Sequence, residues 1–86
     1  MTVGADVIRD EILRRVSERG AMKSICPSEV ARALEPDETG WRRLMGPVRA
    51  VAVELAREGC LDVLRKGKAV DPEEEIRGVI RLRVRV

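Results

Sequence analysis

A chain of 86 residues and 9.6 kDa has room for one core and one binding face, since a domain of this size buries only a little over 60 per cent of its unfolded surface. It has little left with which to enclose a small-molecule pocket, so a large enzyme is excluded. With 44% hydrophobic and 37% charged residues the composition is that of a folded protein, and its net charge of +2 is too balanced to announce a polyanion partner without segregation on the surface.

The single aromatic residue, Trp41, rules out the stacking platforms that bind single-stranded nucleic acid. The cationic residues are almost all arginine, which suits phosphate recognition; a GC-rich coding sequence would give the same bias, so this carries no weight alone. Two cysteines, Cys26 and Cys60, lie far apart in sequence, and no secretory signal or long apolar run accompanies them. The expectation is a reduced, cytoplasmic protein.

In chain order, Ile8, Ile12 and Val16, flanked by Leu13, recur at helical spacing and predict a helix over 5–19. Asp6 is placed to cap it, and Gly20 to end it in a left-handed conformation. Residues 23–26 allow no more than a scrap of strand before Pro27, a favoured first helical residue. A second, short helix is expected over 27–34, with Val30, Ala31 and Leu34 as its apolar face. After the turn-forming run 35–40, Trp41, Leu44, Met45, Val48, Ala52 and Leu55 trace one face of a third helix over 41–58. Gly46-Pro47 inside it is expected to kink or restart it, because Pro47 has no N–H for the carbonyl of Arg43. Trp41 shares the stripe of Leu44, Met45 and Val48 and is assigned to the core.

Residues 61–65 and 79–86 read as strands; in the second, Ile80, Leu82 and Val84 alternate with Arg81, Arg83 and Arg85. Between them, 66–78 forms a long, charged, solvated loop. The order helix, strand scrap, helix, turn, helix, strand, long loop, strand is that of an α+β winged helix: three helices with a helix-turn-helix, packed on a small antiparallel sheet whose loop is the wing. No linker divides the chain, so one domain over 1–86 is expected.

The segments Ser24 to Leu34, Trp41-Arg42-Arg43-Leu44-Met45, Val48-Arg49 and Gly78-Val79-Ile80-Arg81-Leu82 resemble a small bacterial family catalogued as a domain of unknown function. The resemblance spans nearly the whole chain. It implies a winged-helix-like fold, and it implies no activity, ligand or catalytic residue.

Enzyme chemistry is tested by what the sequence lacks. Without histidine there is no Ser-His or Cys-His pair and no imidazole ligand for zinc, and without a Cys-x-x-Cys pair the metal signal is close to nil. Cys26, beside a helix start, is either a thiol of lowered pKa or a small packing residue, and packing is the better reading. Lys66-Gly67-Lys68 lacks the flanking residues of a phosphate loop and reads as a turn. Glu73, Glu74 and Glu75 read as solvated loop carboxylates. No catalytic residue, cofactor, metal site or small-molecule substrate is expected, and no membrane association.

One constellation points to function. On a helical wheel Arg42, Gly46, Arg49, Val53 and Arg57 form one outward stripe of the third helix, with Arg43 and Ala50 beside it. In a winged helix this face enters the major groove. The expected contact set for duplex DNA is therefore Arg42, Arg43, Arg49 and Arg57, with Arg81 adding a backbone contact near the wing. Asparagine and glutamine are absent from the sequence, so base reading would rest on Arg to guanine. The alternative is a protein-interaction module using the same face, Val53 included, or a sheet edge; the four carboxylates of the wing and the apolar Val53 favour it.

Overall fold

The computed structural model describes residues 3–85. The elements are α1 (Ala5–Arg19), α2 (Pro27–Leu34), α3 (Glu38–Arg57), β1 (Leu61–Arg65), β2 (Lys68–Ala69) and β3 (Arg81–Val84). The strands form an antiparallel sheet in the order β2-β1-β3. Ile25, the strand scrap between α1 and α2, pairs with Leu82 through two backbone hydrogen bonds of 2.8 Å and extends the sheet past β3. The arrangement is α+β and winged-helix-like.

Local chemistry explains the boundaries. Gly4, not Asp6, is the N-cap of α1, and Asp6 sits in the first turn, where a carboxylate meets the positive helix end. Gly20 ends α1 at φ 89°, a conformation open to glycine, and its N–H closes on the Val16 carbonyl. Pro27 opens α2, where a missing N–H costs nothing. Glu29 folds back so that its carboxylate accepts the Cys26 backbone N–H at 2.8 Å and the Arg19 guanidinium at 2.8 Å. Helix α3 begins three residues earlier than the apolar stripe suggested, because Asp37 caps it by accepting the Gly40 N–H. It runs uninterrupted through Pro47. Arg43 and Pro47 are both exposed, so water can satisfy the carbonyl that Pro47 leaves free.

Ile8, Ile12 and Val16 of α1, Val30 and Ala31 of α2, and Val48, Ala52, Leu55 and Ala56 of α3 meet Ile25, Leu61, Val63, Ile80 and Leu82 in one aliphatic core. Trp41 is corrected: it is half-buried at the rim of that core, with its ring beneath arginine side chains. The strand expected over 79–86 is four residues long, because its partner β1 is short and pairs only from Leu61↔Val84 to Leu64↔Arg81; Val86 lies outside the described residues. The loop expected over 66–78 is also corrected. It opens with a two-residue turn at Lys66 and Gly67, at φ 53° and 81°, the geometry of the primed hairpin turns, and Lys68–Ala69 returns along the outer edge of β1. Only then does the chain cross back to β3, with Val70 and Ile76 packed against the core.

Two outcomes test this account. Leu82→Ala, at a fully buried position that also pairs with Ile25, is expected to cost about 2–5 kcal/mol, whereas Val79→Ala, at a site 83% exposed, should stay within about 0.5 kcal/mol; urea denaturation of the two variants measures both. The second outcome concerns pH. The Cys26 N–H, followed by the Arg19 guanidinium, holds the Glu29 carboxyl below the usual carboxylate range, against the opposing effect of burial. A lowered folded pKa stabilises the fold above the ordinary range, and that stability is lost as pH falls through the lowered value. Glu29→Gln should therefore flatten the acid limb of a stability-against-pH curve.

Candidate nucleic-acid interface

The five arginines singled out from the sequence have distinct surroundings. Arg42 is exposed and donates to the Glu38 carboxylate at 3.0 Å, one turn away. Its guanidinium and that of Arg32 lie over the Trp41 ring, at 5.0 and 4.5 Å from the centroid, as cation–π contacts require. Arg43 is exposed and has no ion-pair or hydrogen-bond partner among the described residues. Arg81 is exposed at the start of β3 and donates to the Ser24 hydroxyl at 2.6 Å and the Ser24 carbonyl at 2.9 Å.

Arg49 and Arg57 face the wing. Arg49 donates from Nη1 to the Gly78 carbonyl at 2.8 Å and from Nη2 to the Ile76 carbonyl at 3.3 Å. Arg57 pairs with Glu54 at 2.8 Å and with Glu73 of the wing at 3.5 Å. The stripe that helical periodicity turns outward is thus engaged by the wing along its second half: Arg49 is half-buried, while Arg57 stays exposed. The loop beyond β2 forms a shallow groove of about 270 Å³ against α3, lined by Arg49, Val53, Arg57, Glu74, Ile76 and Ile80. Val53 is half-buried there. Periodicity alone could not reveal this cover, because the covering segment has no periodicity of its own.

The wing carboxylates are largely engaged within the protein. Besides Glu73, Glu75 pairs with Arg77 at 3.0 Å, and Asp71 accepts the backbone N–H of Glu73 at 2.9 Å. They belong to the crossover loop, not to the hairpin turn.

Lys66-Gly67-Lys68, read from the sequence as a turn, forms the hairpin turn between β1 and β2. It presents Arg65, Lys66 and Lys68, all exposed and all without a carboxylate partner among the described residues. Lys66-Gly67 between two strand-like runs was the signal for a tight turn, and a tight turn gathers its flanking cations. Beside it, Ser24, Leu64, Lys66, Gly67, Val79 and Arg81 line a second groove of about 320 Å³.

Both thiols, Cys26 and Cys60, are free and half-buried, and the Ser28 hydroxyl donates to the Cys26 sulfur at 3.1 Å. Among the described residues no three acidic or thiol side chains gather as metal ligands, and no helix is long and apolar enough to cross a membrane.

A family model described as a protein of unknown function (DUF3253) matches residues 5–85. The chain belongs to that family. No curated protein matches it.

Proposed function

We propose that this member of the DUF3253 family is a non-enzymatic module that binds duplex DNA through two cationic sites: the first half of α3, with Arg42 and Arg43, and the hairpin turn of the wing, with Arg65, Lys66 and Lys68. One observation carries this reading. The wing turn gathers three exposed cations with no carboxylate partner among the described residues, Arg65, Lys66 and Lys68, and Arg43 on α3 is another, while the wing carboxylates Asp71, Glu73 and Glu75 are held by groups of the protein itself.

Arg43 is free to fork onto guanine or a phosphate. Arg42 is held by its place over the Trp41 ring and by an exposed i,i+4 pair worth about 0.3–0.5 kcal/mol, which a phosphate can displace. Gly46 and Ala50, both exposed, let the duplex backbone approach α3 closely. The wing turn supplies contacts that position the domain without reading sequence, and Arg81 can add another. With no asparagine or glutamine in the chain, selectivity among sequences is modest. The free, half-buried thiols suit a reducing, cytoplasmic setting.

A second reading, a protein-interaction module, draws support from Val79, which is 83% exposed beside the Leu64 groove. Val53 no longer supports it, being half-buried under the wing.

The test is a fluorescence titration, with Trp41 as the reporter, against a random duplex at several salt concentrations. Each neutralised phosphate contributes about 0.9 to the slope of log K against log salt, so engagement of most of the five cations gives a slope of about three to four. Arg43→Glu and the double change Lys66→Glu with Lys68→Glu should each weaken binding to every duplex and lower the slope by about one per cation removed. Absence of binding at low salt would overturn the reading in favour of the protein partner.

A further inference from the structure

We propose that Arg49 is a positioning residue that latches the wing onto α3 and thereby fixes the cationic turn for binding, and that it does not itself contact phosphate. The wing is the longest stretch without regular structure in the fold, running from Val70 to Ile80, and a loop of that length leaves backbone carbonyls to be satisfied. Arg49 spans two of them. Its guanidinium fork reaches the Gly78 and Ile76 carbonyls from a rigid helix, twenty-seven or more residues away in the chain, and the planar geometry of the fork lets one side chain hold both. Gly78 is built for this role. It adopts φ 79°, a conformation that residues other than glycine resist, and its carbonyl accepts from Arg49. On the other side of the same residue lies the Arg65 guanidinium, 3.5 Å from where a Cβ would stand. The glycine that accepts from Arg49 thus lies beside the first cation of the wing turn.

The latch has a consequence for readout. By bringing the crossover loop against α3 beside Val53 and Arg57, it leaves the turns of α3 up to Ala50 as the part that can meet DNA. The wing-holding half of this inference stands without the DNA-binding reading; the binding half rests on it.

The experiment compares wild type, Arg49→Lys, Arg49→Met and Gly78→Ala. Lysine keeps the charge but cannot fork across two carbonyls. Gly78→Ala leaves Arg49 intact and strains the acceptor. Backbone ¹⁵N relaxation without DNA is expected to show order parameters for residues 76–79 near those of a rigid backbone, about 0.85, in wild type, falling below about 0.6 in all three variants, with α1 unchanged as the control for folding. In the salt-dependent duplex titration, all three variants should lose about tenfold in affinity, as expected for a bond to a charged group, while the salt slope stays at the wild-type value. Unchanged order parameters in Arg49→Met would overturn the latch. Wild-type affinity in Arg49→Lys together with a slope lowered by about 0.9 in Arg49→Met would make Arg49 a phosphate contact and overturn the positioning role. If wild type binds no duplex, the binding half falls with the DNA-binding reading, and the relaxation data alone decide whether Arg49 holds the wing.

Discussion

A loop that crosses the face of a small sheet must satisfy its own backbone, and here the donors come from α3. The carbonyls of Ile76 and Gly78 take the Arg49 guanidinium, and Glu73 takes part of Arg57. The rest of the surface follows from that commitment. Arg49, in the middle of the cationic stripe on α3, is taken up within the fold, Val53 is half-buried in the groove between α3 and the wing, and Arg43 on α3 and the cations of the hairpin turn are left exposed without a carboxylate partner among the described residues.

Beneath this lies a core with no aromatic ring at its centre. Small and medium aliphatic side chains from all three helices meet the inner face of the sheet, and the alternation of β3 puts Ile80 and Leu82 inward and Arg81, Arg83 and Arg85 outward. Arg83 and Arg85 share the Asp62 carboxylate, at 3.7 and 2.7 Å, so the outer sheet face is partly neutralised. Arg9 and Glu58 tie α1 to the end of α3 with a two-bonded pair of 2.9 and 2.8 Å, which raises the Arg9 pKa and lowers that of Glu58. Both partners are well exposed, so this pair orients more than it stabilises. The net effect is a protein whose modest overall charge conceals local segregation.

Much of the fold was legible in the residues. The spacing of Ile8, Ile12 and Val16, the proline at position 27 and the alternation around Leu82 each report a local geometry, and local geometry is what periodicity encodes. Helix α3 began earlier than its apolar stripe because the Asp37 cap acts on backbone donors and leaves no mark in hydrophobic spacing. Pro47 does not end it, because the carbonyl it frees is open to water and Val48, Ala52 and Leu55 beyond it are held in the core. The two-residue strand β2 was missed because Lys68 and Ala69 are both exposed, so neither burial nor alternation marks them. The candidate site was legible as a list of arginines but not as a surface. Which of them face water depends on where residues 70–80 fold, and that is set by contacts distant in sequence, from Arg57 to Glu73 and from Arg49 to Ile76 and Gly78. Trp41 illustrates the same point: its place on the apolar stripe is real, yet Arg32 from the neighbouring helix covers the ring and leaves it at the rim.

The central claim is that the exposed first half of α3 and the turn of the wing act together on one duplex. Amide chemical-shift mapping of ¹⁵N-labelled protein with a short random duplex addresses it residue by residue. The expected result is that the amides of Arg42 to Gly46 and of Arg65 to Lys68 shift together along one saturable course while those of α1 stay in place. Shifts confined to one of the two segments, or centred on α1, would contradict it.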